Sequence, residues 1–270
     1  MKSSVDNIFL ETMIITNDEK ESVFWEKAGV DIIFIDLEVL GKLERQGHID
    51  SVKSNHSVND IPKIKCLLTT ARILVRVNPP HKNTRQELEN VIEAGADIIM
   101  LPMFYSIQEL LNVIEIIDGR CEFYPLIETP AAVKLVPDLI NIKGIQGVHF
   151  GLNDLHLALG FSFMFEVMLW PEFITAITVL DDNDIFFGIG GVSRVGTGTL
   201  LSDVIIREHF RVGSQRVILS RSFKSEICSE EHAKIEIENI KRVYESSIDE
   251  DLLENQNVLK NKIRYLSKNG

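Results

Sequence analysis

Three cysteines in 270 residues, Cys66, Cys121 and Cys228, are odd in number and far apart, so they form neither a disulfide framework nor a zinc spacing. Positive charge is also short. Against 40 Asp and Glu stand 28 Lys and Arg, a formal charge of −12 with pI near 5.1, so no global field holds a phosphate backbone and nucleic acid is not an expected partner. No apolar run reaches the roughly 18 residues of a membrane span. Glu11 and Asp18 interrupt the N-terminal stretch before a signal-peptide core develops, so no membrane partner is expected and the cytoplasm is the expected compartment. A Gly/Ser-rich or Pro-rich linker is absent too, which favours one domain over the two that the length permits. What remains, 45% hydrophobic and 25% charged, is the composition of a globular protein with a large core.

Eight short β-branched and aromatic runs punctuate the chain, at 8–16, 31–38 (DIIFIDLE), 72–78 (RILVRVN), 97–103 (DIIMLPM), 121–129 (CEFYPLIET), 147–155 (GVHFGLNDL), 184–191 (DIFFGIGG) and 216–220 (RVILS). Their cores are nearly continuously apolar, the pattern of strands covered on both faces in a parallel sheet. Between them lie stretches of helical spacing such as Gln86 to Ala94 and Ile107 to Ile117, and a helix is also expected near Ile61 to Thr70. Starts at 72, 97, 121 and 147 recur every 24 to 26 residues, the length of a minimal βα unit. Eight such strands predict an α/β fold, a (β/α)₈ TIM barrel over about 6–223, with additional C-terminal helices over about 224–270; a doubly wound sheet is the second choice. In the C-terminal stretch Ile237, Ile240, Tyr244, Leu252, Leu259, Ile263 and Leu266 mark the apolar faces.

Barrel chemistry sits at the C-terminal ends of the strands. Those ends here carry Asp36 and Glu38, Arg76 and Asn78, Glu128, and Asn153 with Asp154. Glu128 and Asp154 end adjacent strands, where two carboxylates repel unless neutralised, and hard oxygen ligands suit Mg²⁺ or Mn²⁺, with Co²⁺ tolerated. The alternative is that each carboxylate caps the helix that follows it, the first of which begins at Thr129-Pro130. No strand core offers a lysine for a Schiff base.

The ordered series DLE (36–38), LVRVN (74–78), EAGADIIMLPM (93–103), PLIETPAAV (125–133) and GVHFGLNDL (147–155) resembles the HpcH/HpaI aldolase and citrate lyase β-subunit family. The resemblance implies a TIM barrel, homo-oligomers (trimer or hexamer), and a divalent metal that binds a 2-oxo acid or acyl substrate during carbon–carbon cleavage or condensation. It implies metal ligation by Glu128 and Asp154, and contact between Arg76 and the substrate's oxo or carboxylate oxygen. The expected function is a metal-dependent carbon–carbon lyase, aldolase-like, acting on a hydroxy-oxo acid or sugar acid through a pyruvate-type enolate. The alternatives are a citrate-lyase-like acyl-CoA lyase or thioesterase, and a barrel that binds metal and ligand without turnover.

Proton transfer needs further groups, and His156 and His48 are the candidates, with a metal-bound water as the alternative base; Glu38 is a further catalytic candidate, while His149 lies inside the sixth strand and is expected to orient a neighbour or fill the barrel. Asp36-Leu37-Glu38-Val39 departs from the family pattern, which continues with a second carboxylate; Glu38 either binds substrate or pairs with Lys42 or Arg45. Those two cations either clamp an anionic substrate group or lie exposed. Asn78, Asn153, Gly190 and Gly191 are candidate substrate contacts beside Arg76. The glycine-rich run 188–198, with Arg194, Ser220 and Arg221 nearby, offers backbone N–H groups to a phosphate or carboxylate, or else makes a tight turn. The apolar segment 161–170 is read as a helix packed on the barrel, or as an interface or lid.

Overall fold

The computed structural model describes residues 9–41 and 55–269. Eight parallel strands close into a barrel in chain order: β1 (Glu11–Ile15), β2 (Ile32–Asp36), β3 (Arg72–Arg76), β4 (Ile98–Leu101), β5 (Glu122–Ile127), β6 (Val148–Phe150), β7 (Phe187–Val192) and β8 (Arg216–Leu219). Closure comes from β1 pairing with β8, Glu11 opposite Arg216 and Ile14 opposite Leu219. The helices are α1 (Glu19–Lys27), α2 (Asp60–Lys65), α3 (Thr84–Glu93), α4 (Ile107–Ile117), α5 (Pro130–Leu139), α6 (Leu152–Leu159), α7 (Pro171–Asp182), α8 (Ser202–Val212), α9 (Arg221–Lys224), α10 (Glu230–Ser246) and α11 (Leu252–Asn269).

The near-continuous apolar strands divide by the two-residue pleat. One set faces inward and packs on itself along the axis: Met13, Ile32, Phe34, Leu74, Ile98, Met100, Tyr124 and Leu126. The alternate set, Ile14, Ile33, Ile73, Ile99, Phe123 and Phe150 among others, packs outward against buried helix residues such as Leu88, Leu110 and Val133. Of the C-terminal helices, α10 packs on α1 and α8, taking the eighth place in the outer ring, with Ile237, Ile240 and Tyr244 buried. The last helix, α11, lies on α8 and buries Leu259 and Ile263.

Several boundaries differ from the sequence expectation. The sixth strand ends at Phe150, not Leu155, because Gly151 interrupts the extended run and Leu152 and Leu155 bury one face of α6. Asn153 and Asp154 therefore stand in the first turn of a helix. The helix expected to run to Thr70 stops at Lys65, since the Glu26 carboxylate captures the backbone N–H groups of Thr69, Thr70 and Ala71 at 2.7–2.8 Å. The seventh strand starts at Phe187, three residues late, after Asp184 turns the chain at φ +54°. Segment 161–170 forms a short 3₁₀ turn, Met164–Leu169, with Phe165, Val167 and Met168 buried against the barrel helices.

Candidate active site

A cavity of about 510 Å³ opens at the C-terminal ends of the strands. Its polar wall comprises Asp36, His56, Arg76, Glu128, Asn153, Asp154, Ser220, Arg221 and Lys224; Phe34, Met100, Leu126 and Ile218 form apolar wall from inside the barrel.

Arg76 ends β3 directly opposite Asp36 on β2. Its Nε and one terminal nitrogen donate in a fork to the two Asp36 oxygens at 2.9 and 2.8 Å, and its other terminal nitrogen lies 3.4 Å from Glu38. Burial works against the charge, but Asp36, then Glu38 and Glu128, hold the guanidinium firmly protonated. The result is a fixed cation whose orientation is set by a bidentate partner, standing on the cavity wall.

Glu128, just beyond β5, is buried and accepts the Met103 backbone N–H at 3.1 Å. Met103 has φ +48°, a left-handed conformation rare for a side-chain-bearing residue, so the fold strains one backbone position beside this carboxylate. Its other oxygen lies beside Gly151, where a Cβ would stand 3.1 Å from Oε2 and 2.9 Å from Glu128 Cβ. Glycine there clears room for the carboxylate. Thr129, not Glu128, caps α5, its hydroxyl accepting from Ala132 N at 3.0 Å. No side chain caps α6, and Asp154 occupies its first turn.

Of the residues singled out from sequence, Arg76, Glu128, Asn153, Asp154, Gly190 and Gly191 line this one cavity. Glu38, Asn78 and His156 are not on its wall. Glu38 is buried behind Arg76 and pairs with it. The Asn78 amide accepts from Val39 N and Leu40 N at 2.9 and 3.0 Å and donates to Glu87 at 2.7 Å, fixing the start of the loop after β2. His156 stands on α6 with Nδ1 buried and unpaired. Lys42, Arg45 and His48 lie outside the described residues. Arg194 pairs with Glu226, joining the loops after β7 and β8.

His56 was missed. It lines the cavity, and its Nδ1 accepts the Asp36 backbone N–H at 2.8 Å, so the ring proton is assigned to Nε2. It lies in a polar loop whose sequence has no pattern, so only the tertiary fold brings it to the strand ends. His149 is fully buried on β6 and also borders the cavity. Burial, the Arg216 guanidinium and His209 hold it neutral, down to about 3, although the Gly190 backbone pulls the other way.

The profile of the HpcH/HpaI aldolase/citrate lyase family matches residues 25–164, more than half of the chain. The chain belongs to this family. The matched HpcH/HpaI region runs from α1 into the 3₁₀ turn and includes Asp36, Arg76, Glu128 and Asp154. Among solved structures of the same fold is an HpcH/HpaI aldolase/citrate lyase family protein from Burkholderia cenocepacia J2315, 12% identical, covering 80% of this chain and 89% of its own, with TM-score 0.64. A citrate lyase from Burkholderia xenovorans LB400 is 14% identical over 90% of this chain and 78% of its own, with TM-score 0.62. An HpcH/HpaI aldolase from Desulfitobacterium hafniense DCB-2 is 15% identical over 78% and 86%, with TM-score 0.59. At such identities these likenesses are of fold. Comparison with curated proteins returned no match. No described helix is long and apolar enough to cross a membrane.

Proposed function

We propose that this HpcH/HpaI chain is a divalent-metal-dependent carbon–carbon lyase that cleaves or forms a hydroxy-oxo acid or sugar acid through a pyruvate-type enolate. The observation that carries the reading is the arrangement of one fixed cation and two carboxylates on a single cavity wall: Arg76, locked by Asp36, with Glu128 and Asp154.

The donor set fits a hard divalent ion. Among the described residues no group of three or more His, Cys, Asp or Glu forms a closed metal cage. Two carboxylates that leave coordination positions to water and substrate oxygens suit Mg²⁺ or Mn²⁺, and glycine at 151 leaves the Glu128 side chain the room that a Cβ would take. Glu128 and Asp154 would hold the ion, which when bound supplies Lewis-acid polarisation of the substrate's oxo group.

The chain's own residues do the rest. Cleavage next to a carbonyl leaves negative charge on the oxo oxygen, and a cation fixed in advance stabilises that charge without reorganising. Arg76 is such a cation, since Asp36 fixes its plane before substrate arrives. His56, on the same wall, accepts the Asp36 backbone N–H with Nδ1 and so helps hold Asp36, and through it Arg76, in place. The apolar residues Phe34, Met100, Leu126 and Ile218 keep the surroundings at low polarity, which strengthens these interactions.

The test is pyruvate release from a panel of 4-hydroxy-2-oxo acids, with Mg²⁺ or Mn²⁺ and with chelator. Metal-dependent release from at least one member is expected. Release that is indifferent to chelator removes the metal from the reading, and loss of a thioester from an acyl-CoA without pyruvate release replaces it.

A further inference from the structure

The inner residue of β6 is a histidine whose ring meets the Gly190 backbone without a well-formed hydrogen bond. His149 faces the barrel axis between Leu126 of β5 and Gly188 of β7, its register neighbours. It is fully buried, yet neither ring nitrogen has a hydrogen-bond partner of normal geometry. Buried polar atoms are nearly always satisfied, by protein, water or ligand, so a ring with both nitrogens unpaired needs an explanation. The fold has made room for it deliberately: a Cβ on Gly188 would fall 2.4 Å from His149 Nδ1 and 2.9 Å from Arg216 Cβ. His149 borders the cavity, sharing its wall with the apolar Phe34, Met100, Leu126 and Ile218, while the Arg216 guanidinium, paired with Glu11, is close enough to oppose its protonation. A largely apolar wall with a few placed polar groups is how a pocket fixes the orientation of a small ligand.

We infer that His149 is a specificity-determining residue that hydrogen-bonds an uncharged oxygen of the substrate, a hydroxyl or carbonyl beyond the 2-oxo-acid end. The inference rests on the cavity being the substrate site and names the class of acid it prefers: hydroxylated, of the sugar-acid type, over plain aliphatic. A neutral imidazole offers one donor and one acceptor, which matches a hydroxyl and gives a second carboxylate no charge to pair with. The low proton affinity of this ring keeps it in that neutral form throughout the working range of pH. An acid that lacks the hydroxyl leaves the ring unsatisfied and is penalised, the situation in which a buried polar group discriminates most strongly.

D-Gluconate and hexanoate are six-carbon acids with and without hydroxyls, and neither yields pyruvate. Isothermal titration of wild type should show gluconate binding tighter than hexanoate by about tenfold or more. In His149→Phe the ratio should fall to about one, and His149→Gln, which keeps a donor and an acceptor, should restore part of it. Removing an unpaired buried imidazole should leave the melting temperature of the Phe variant equal or higher; if the larger ring unfolds it, His149→Leu serves the same comparison. A preference that survives in the Phe or Leu variant, no preference in wild type, or no binding of either acid overturns the assignment. Pyruvate release by wild type is scored separately, so its failure strikes the proposed reaction while the two-acid ratio still decides the role of His149.

Discussion

Arg76 serves two masters at the residue scale, and the structure separates them. The sequence alone marks it as a cation at a strand end, and suggests that its loss costs catalysis more than folding. The structure adds that its guanidinium pairs with Asp36 and lies 3.4 Å from Glu38, both buried. Arg76→Ala should therefore destabilise the protein by about 3 kcal/mol, because removing one member of a buried pair strands the other charge. Arg76→Lys is the informative variant. It keeps the charge and the fold but loses the fork, so pyruvate release should fall by about 100-fold or more while the urea midpoint moves little. A Lys variant with wild-type turnover would remove Arg76 from the reaction. Chemistry-bearing residue types at strand ends were legible, which is why Arg76, Glu128 and Asp154 stand out of the sequence and meet on one wall. Direction was not legible. Glu38 and Asn78, also at strand ends, turn to hold Arg76 and the neighbouring loop, and His56 arrives from a segment without periodicity.

At the scale of elements, strand cores are read correctly because apolar β-branched runs have no other stable home, whereas their ends depend on hydrogen bonds that no local pattern announces. Glu26 is an example. A residue of α1, it accepts three backbone N–H groups of the chain leading into β3 and so ends the region of α2 and sets the start of the next strand. Burial raises the affinity of this carboxyl for a proton, but the N–H groups of Thr70, Ala71 and Thr69 outweigh it, and the net direction is down. The sign follows by linkage: a carboxyl whose folded value is lowered contributes stability fully present above its unfolded value, near 4.5, and lost as pH falls through the lower folded one. Glu26→Gln keeps an acceptor but loses charge assistance, so it should lower stability by about 1 kcal/mol at pH 7, with the gap closing below the unfolded value. Melting temperatures of both proteins from pH 7 to pH 3 check this. A gap that is constant with pH would show that the carboxylate charge is not what the three N–H groups respond to.

The barrel as a whole closes at the seam of β1 and β8, and there the inner layer is ionic, not apolar. Glu11 of β1 accepts from Arg216 of β8 at 2.5 Å and from Arg72 of β3, and Arg72 in turn donates to both oxygens of Glu122 on β5 at 2.9 and 3.0 Å. Four strands are thus tied across the axis by charges that alternate in sign. Arg216 has no exposed surface, and its ring contacts, 4.1 Å to the Tyr124 centroid and 4.5 Å to that of Phe186, offset only part of its desolvation. The two arginines therefore differ in what they lose if Glu11 is removed. Arg72 keeps Glu122, whereas Arg216 keeps no carboxylate among the described residues. Glu11→Gln should cost about 3 kcal/mol, nearly all of it from the stranded Arg216 cation. Arg216→Met added to Glu11→Gln takes away that cation and fills its space with an apolar chain, so the double variant should be more stable than Glu11→Gln alone. Urea unfolding followed by the fluorescence of Trp25 and Trp170 measures all four corners of the cycle. Simple additivity of the two single losses would mean that the seam is held by backbone pairing and packing, with the ion pair contributing nothing to closure.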